Sequence, residues 1–303
     1  MLGAKTVARA KINLFLSVGP RRQDGYHDIR SVMQSLELCD ELFFRRTDGS
    51  GGRITLRCSD GRLPSGEQNL GWRAVEAFAG ETGVMEEGGV EVFINKRIPV
   101  GAGLAGGSAD AAAALLAMNN IWELELSLAE IEGIAARVGS DVPFCLRGGT
   151  AMVTGRGEKV EPLEPLPSFQ VVLASPGEQA STADVYKRFD SVAWEPGLPS
   201  KEELERMLSA LLEGVKKGDF EAISANLHNS LESATIARDQ VEQYKNTALE
   251  AGAAAALMTG SGPAVFALAR SLEEAAEVAW ELEKTAPITI ITGFSDRGAQ
   301  IAD

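Results

Sequence analysis

Polar and apolar side chains alternate from residue 7 to residue 18. Arg9, Lys11 and Asn13 fall on one face, and Ala8, Ala10, Ile12, Leu14 and Leu16 on the other. A period of two predicts a strand. A loop is expected at 19–27. Strand character returns over 29–46, interrupted at 39–41, and a turn is expected at 49–52. Shorter strands are predicted at 53–58, 90–94, 148–153 and 169–174. Over 67–79 the period becomes helical, with Leu70, Ala74, Ala77 and Phe78 as the apolar stripe. Helices are also predicted at 108–120 and 126–138, the second with Ser127 as N-cap. Beyond 194–199 the chain turns helical at 201–216, 220–231, 237–250 and 272–283. Apolar strands at 257–258, 264–269 and 288–292 interleave with these helices. The polar tail 293–303 is assigned no element. Pro162, Pro165 and Pro167 mark a candidate boundary, dividing the chain into 1–160 and 161–303. Strands and helices mix without strict alternation, so the expected class is α+β rather than a doubly wound sheet.

Composition narrows the functional classes. The chain has 303 residues, 45% of them hydrophobic and 24% charged, as in ordinary globular proteins. Its formal net charge is −14. Such a surface repels phosphate backbones and anionic lipid, which argues against nucleic-acid and membrane-surface partners. An anionic small substrate would need a local basic pocket. The cysteines Cys39, Cys58 and Cys145 form no CxxC pair, and the only histidines are His27 and His228. A disulfide framework and a multi-histidine metal centre are therefore excluded. No apolar run is long enough for a membrane span, and the first ten residues lack the apolar run of a secretory leader. The expectation is a cytoplasmic protein, monomeric or weakly dimeric.

The most informative stretch is Pro99, Val100, Gly101, Ala102, Gly103, Leu104, Ala105, Gly106, Gly107, Ser108 and Ala109, between a predicted strand and a predicted helix. Its four glycines let backbone N–H groups approach a ligand closely. The helix N-terminus adds a positive dipole, with Ser108 as the expected cap. Together they predict an anion site suited to phosphate. Gly101, Gly103 and Gly106 also satisfy G-x-G-x-x-G. However, the acidic residues that follow, Glu123 and Glu125, fall between helices rather than at a strand end, against a dinucleotide fold. A Walker A loop is excluded because no lysine follows Gly106-Gly107. A plain strand-to-helix connection is the remaining alternative.

This loop resembles the phosphate loop of the GHMP kinases, a family that includes galactokinase, homoserine kinase and mevalonate kinase. Four further segments follow in the family's order: Ala-Arg-Ala-Lys-Ile-Asn-Leu at 8–14, Gly-Tyr-His at 25–27 with Ser-Val-Met-Gln-Ser at 31–35, Gly-Ser-Asp-Val-Pro-Phe at 139–144, and Thr-Gly-Ser-Gly-Pro at 259–263. The resemblance thus spans most of the chain. Lys-Ile-Asn-Leu and Gly-Tyr-His point to one branch, whose acceptor carries a cytidine diphosphate group. Two departures stand out: Ala105 where the family often has Gly, and Ala109-Asp110 where it often has Ser-Asn.

The resemblance implies a two-lobed α+β GHMP kinase fold whose C-terminal lobe is helices plus a small antiparallel sheet. It implies ATP as phosphoryl donor, Mg²⁺ as companion ion and the 99–109 loop as triphosphate site. It makes Lys11 and Asp141 the catalytic pair, with Asp141 as general base. It places Asn69 and Lys96 on the nucleotide, and Asn13, Tyr26, His27, Thr182 and Tyr186 on the acceptor. Ser108 and Asp110 are the metal candidates. From residue pattern alone the plainer alternatives stay open. Lys11 suits the wet face of an edge strand. Asp141 suits a helix N-cap. Tyr186 suits a half-buried aromatic, Lys96 an exposed strand end and 259–264 a hairpin turn. His228 reads as an ordinary helix residue. The rival functions are another GHMP kinase, of homoserine or mevalonate type, and a catalytically silent nucleotide-binding regulator.

Overall fold

The computed structural model describes residues 3–48, 52–86, 88–178, 180–192 and 198–302. Positions 49–51 of the expected turn, and 194–197 of the segment before the C-terminal helices, lie outside the described residues. Strands β1 (Gly3–Arg21) and β2 (His27–Asp48) form a long antiparallel pair. The expected loop at 19–27 shrinks accordingly to a turn at 22–26. Strand β2 does not break at 39–41. The irregularity appears instead in its register with β1, where Arg9 faces Cys39 but Lys11 faces Ser35. A second slip falls between Asn13 and Phe15. Such bulges twist a strand and re-aim its side chains.

Parallel strands β3 (Ile54–Cys58) and β4 (Gly88–Asn95) flank α1 (Leu70–Thr82) in sequence, and β4 lies along β2. Helix α2 (Gly106–Ile121) follows the glycine loop. Its alanines 111–114 are fully buried, which lets α1, β1 and β2 close around it. Helix α3 (Leu128–Val138) begins at the expected Ser127, completed by Glu130 into a capping box. Helix α4 (Val142–Arg147) leads to the hairpin of β5 (Thr150–Gly155) and β6 (Lys159–Pro162). Strand β7 (Gln170–Ser175) then precedes α5 (Thr182–Val192); neither β6 nor α5 showed in the sequence pattern.

Helix α6 (Lys201–Lys217) agrees with the pattern, but the helix expected at 220–231 does not form as such. It is cut to α7 (Phe220–Ala225), after which β8 (His228–Asn229) pairs parallel with β1 at Phe15 and Leu16. Asn229 explains the change. Its side chain donates to the carbonyls of Met258 (2.7 Å) and Gly260 (2.8 Å) and accepts from Leu231 N–H (2.9 Å). Asparagine commonly competes with helix in this way. Helix α8 (Arg238–Glu250), strands β9 (Ala255–Met258) and β10 (Val265–Ala269), helix α9 (Leu272–Leu282) and strand β11 (Ile288–Ser295) follow. The tail gains a strand, β12 (Gln300–Ala302), paired with Lys5–Val7 of β1.

The main path through the sheet runs β12-β1-β2-β11-β7-β10-β9. One edge of β2 pairs with β1. The other is shared by β5 at 29–34, β11 at 35–36 and β4 at 41–48. Through β11 and β12 the chain beyond residue 161 returns to the sheet begun by its first strands. One apolar core lies between β1, β2 and α2, and a second between β7, β10, α8 and α9.

The tail is locked under α4. Gly148, at φ 69°, ψ −157°, ends that helix, and a Cβ on it would lie 1.9 Å from the Gly298 nitrogen. Gly148→Ala should therefore cost about 3 kcal/mol or more of unfolding stability. Gly80→Ala, inside α1 with nothing near the added methyl, should be neutral or stabilise by roughly 0.5–1 kcal/mol. Urea unfolding of both variants checks this, and equal midpoints would contradict it.

Candidate active site

The middle of β1 lies between its partners β12 and β8, so its outward backbone groups need other partners. Two glycine turns supply them. Lys11 N–H donates to Leu104 O (3.1 Å), and Asn13 N–H to Thr259 Oγ1 (3.2 Å). The turns also bind each other, since Ala264 N–H donates to Ala102 O (3.2 Å). Their contact is too close for side chains. A Cβ on Gly103, which has φ 82°, would lie 2.2 Å from Thr259 O. One on Gly260 would lie 2.9 Å from Gly103 O and 3.1 Å from Lys11 Nζ.

The bulges turn Lys11 and Asn13 into this junction, where they are 4% and 1% exposed. That removes the wet-edge alternative. The Lys11 ammonium donates to Asn13 Oδ1 (2.8 Å) and Gly103 O (2.9 Å), and Asp141 Oδ2 lies 3.8 Å away. Asn13 Nδ2 donates to Ser31 Oγ (2.8 Å), which donates to Phe15 O (2.6 Å). The asparagine's orientation is thereby set, and with it one face of the ammonium. Asp141 stands at the N-cap position of α4, but its carboxylate makes no capping hydrogen bond. It is one-third exposed and free to meet a ligand.

These groups open into a cavity of about 980 Å³, at the upper end of the range for small-molecule sites. Of the loop, Pro99, Gly101, Ala102, Gly103, Leu104, Ala105, Gly106, Gly107 and Ser108 line it, while Val100 and Ala109 do not. Helix α2 starts at Gly106, earlier than expected, and its N-cap is Ala105 rather than Ser108. Ala105 has φ 56°, a left-handed conformation that glycine adopts more readily. This is the physical content of the Ala105 departure. Ser108 lies in the helix's first turn and lines the cavity.

Asn13, Tyr26, His27, Thr182 and Tyr186 all line the cavity. His27 Nδ1 is 2.9 Å from Gly19 O, and a carbonyl only accepts, so Nδ1 carries the proton. Its Nε2 is 3.4 Å from Asp190 Oδ1, and its ring is 5.3 Å from that of Tyr186. Burial, with Asp141 nearby, holds the Tyr186 phenol above its usual pKa. Tyr26 is 53% exposed. The Thr182 and Ser261 hydroxyls meet at 3.0 Å, closing the second glycine turn against α5.

Three expected residues lie elsewhere. Asn69 caps α1: its Oδ1 accepts from Gly71 N–H (2.8 Å) and its Nδ2 donates to Pro64 O (2.9 Å). The Lys96 side chain, far from an exposed strand end, is buried beneath the glycine loop. It donates to Asp40 Oδ2 (2.5 Å) and Asp110 Oδ2 (2.7 Å). A Cβ on Gly106 would lie 2.9 Å from its Nζ. Asp110 is therefore taken up by Lys96 rather than presented to a metal. Its burial, reinforced by Asp40 and opposed by Lys96, pushes its carboxyl up to about 8. Burial alone would lower Lys96, but Asp110 and Asp40 outweigh it and hold the ammonium above its ordinary value. His228 is in β8, not a helix, and lies outside this cavity; burial pushes it down to about 4.

Sequence reasoning missed Arg21, Arg156, Lys187 and Asp190, all at the cavity. None sits in a motif. Arg156 had only its flanking glycines, Gly155 and Gly157, as a signal.

Taken together, a glycine-rich loop opening a helix and a carboxylate beside a buried ammonium form a site for moving a phosphoryl group. The comparisons agree. The family described as GHMP kinases N terminal domain matches residues 69–149, and GHMP kinases C terminal matches residues 207–288. The chain belongs to the GHMP kinases, and its α+β, two-lobed fold is theirs. A Pelotomaculum thermopropionicum protein named 4-diphosphocytidyl-2-C-methyl-D-erythritol kinase is 46% identical over 94% of this chain and 96% of its own. One of the same name from Caldanaerobacter subterraneus subsp. tengcongensis is 40% identical over 97% and 98%. A crystal structure of 4-(cytidine 5'-diphospho)-2C-methyl-D-erythritol kinase matches with TM-score 0.76 and 32% identity, covering 96% of this chain and 99% of that one. Homoserine kinase from Cytophaga hutchinsonii matches at TM-score 0.78 but 21% identity, a likeness of fold alone, over 100% and 98% of the chains.

The buried triad gives a test of where Lys96 acts. Lys96→Met leaves the buried Asp40 and Asp110 without their cation, which should cost roughly 3–5 kcal/mol near pH 7. A carboxyl raised from 3.8 to about 8 binds a proton in the folded state, so its contribution is full below pH 3.8 and lost as pH rises through 8. Lys96 opposes that rise, so without it Asp110 keeps its proton to higher pH. The loss should therefore be similar at pH 5 and pH 7 and grow above pH 8. Unfolding at pH 5, 7 and 9 measures it. A variant of normal stability with only a raised KM for ATP would place Lys96 on the nucleotide instead.

Proposed function

We propose that this chain transfers the γ-phosphoryl group of ATP to the 2-hydroxyl of 4-diphosphocytidyl-2-C-methyl-D-erythritol, a step in non-mevalonate synthesis of isoprenoid precursors. It is an ATP-dependent small-molecule kinase. The observation that carries the reading is the meeting of Lys11, Asp141 and the 101–108 loop in one cavity. Near-full-length identity to relatives of that name supports the choice of acceptor.

Each group's part follows from its placement. The loop's backbone N–H groups and the N-terminus of α2 hold the triphosphate. The Asp141 carboxylate, unengaged by its own helix, takes the proton of the attacking hydroxyl. Lys11, held by Asn13 and Gly103, cannot turn away, so its charge is preorganised for the oxygen being transferred. Tyr26 offers the stacking face for cytosine, worth roughly 1–3 kcal/mol. His27 takes the base edge, Tyr186 flanks the base as a second aromatic, and Thr182 and Asn13 contribute further polar contacts.

The residues also fit Mg²⁺. Among the described residues no cluster of three or more His, Cys, Asp or Glu could cage a metal, and Asp110 is engaged by Lys96. Ser108 remains at the cavity wall. Such a sparse set suits an ion carried largely by phosphates and water, with Ser108 as the protein's ligand. When bound, Mg²⁺ neutralises phosphate charge. The three free cysteines suit a reducing, cytoplasmic setting, and a monomer or weak homodimer completes the reading.

The test is ADP release from Mg-ATP with the cytidyl acceptor, with homoserine and mevalonate beside it. Turnover is expected with the cytidyl acceptor alone. Asp141→Asn should lower kcat by roughly 10²–10⁴-fold with an unchanged melting curve. Near-normal turnover in that variant would remove Asp141 as base, and turnover with homoserine instead would replace the acceptor.

A further inference from the structure

Arg156 is an unusual cation in this chain. Acidic residues outnumber basic ones by 43 to 29, and most arginines near a carboxylate pair with it. Among the described residues no carboxylate lies within ion-pair distance of the Arg156 guanidinium. Among them the guanidinium's partner is the Tyr26 ring, with Cζ 4.9 Å from the ring centroid. Both residues line the cavity.

The backbone that carries Arg156 is closely determined. It sits at the tip of the β5–β6 hairpin between Gly155 (φ 72°) and Gly157 (φ 116°), conformations that glycine readily supplies. Its N–H donates to Glu158 Oε2 (2.7 Å). Gly157 presses on the loop of the candidate base, where an added Cβ would lie 3.2 Å from Ser140 Cβ and 3.7 Å from Asp141 Oδ1. The tip therefore lies between the Tyr26 ring and the segment that carries Asp141. A guanidinium without a carboxylate partner, seated over that ring, presents planar donors suited to phosphate oxygens. Arg21 and Lys187 add positive charge to the same cavity, although Arg21 has Asp190 at 4.0 Å.

We propose that Arg156 is a specificity-determining residue for the acceptor: seated over the Tyr26 ring, its guanidinium binds the diphosphate that joins the stacked base to the polyol. This rests on the acceptor reading above. It makes the diphosphate, not only the base, a recognised feature, and it selects against acceptors lacking one.

The nucleotide's own phosphates are the other source of the same chemistry, and the test separates them. Binding of cytidine, CMP and CDP is titrated with saturating ADP present, in the wild type, Arg156→Ala and Arg156→Lys. Wild type is expected to prefer CDP over cytidine, and Arg156→Ala to lose roughly ten- to hundredfold of that preference. Arg156→Lys should recover part of it. In turnover, Arg156→Ala should raise the acceptor KM by a similar factor, with much smaller effects on kcat and on the KM for ATP. If Arg156 only props the Tyr26 ring, cytidine weakens as much as CDP and the ratio persists, which overturns the proposal. A rise confined to the KM for ATP overturns it also. Failure of the wild type to use any cytidyl acceptor overturns the acceptor reading instead; the CDP-to-cytidine ratio, read by titration, still decides the role of Arg156.

Discussion

Everything at the site depends on how β1 satisfies its backbone between β12 and β8. Strands cover its two ends. Its middle is covered by two glycine turns, one from each half of the chain, that bond to it and to one another. An unpaired backbone group in a buried place costs as much as a lost hydrogen bond, so the turns cannot drift apart without leaving N–H groups orphaned. The same contacts seat Lys11. Its side chain enters a junction where Gly103 offers a carbonyl and Gly260 offers empty space. The backbone bonding of a strand and the placement of a buried charge are thus one arrangement.

Charge is handled in two layers around the glycine loop that opens α2. On the cavity side, Lys11 and the α2 N-terminus are positive and Asp141 is the neighbouring carboxylate. On the far side, Lys96 is buried between Asp40 and Asp110. Burying one ammonium against two carboxylates is tolerable because Asp40 also accepts from the N–H groups of Arg97 and Ile98. One Asp110 oxygen has no partner, and burial favours the protonated form of that group. The triad anchors the strand that enters the loop and the helix that leaves it. The loop's N–H groups are thereby held by groups that do not themselves touch the cavity.

Much of this was legible in the chain. Period-two alternation marked β1, Ser127 marked the start of α3, and the glycine run marked a loop that opens a helix. These are local effects, set by side-chain direction, capping and backbone freedom within a few residues. The ordered motifs carried the family and, with it, the candidate site. What failed were features whose cause lies far along the chain. His228 left its expected helix because Asn229 binds carbonyls about thirty residues later. The tail became a strand because β1 had an open edge there.

The sequence by itself determined the class of fold and the glycine loop, which are written in local pattern, while its ordered motifs, not its periodicity, singled out Lys11 and Asp141. Only the tertiary structure decided what those residues face. A polar side chain on a strand reads the same whether it meets water or a partner. Burial and bulges made Lys11 a cavity cation and freed Asp141 from capping its helix, while Lys96, Asn69 and Asp110 went to internal partners. Arg156 entered the site only because a hairpin tip meets Tyr26 across 130 positions of chain. Contacts between segments so distant leave no period or spacing in the sequence, because the geometry that joins them exists only once the sheet has closed.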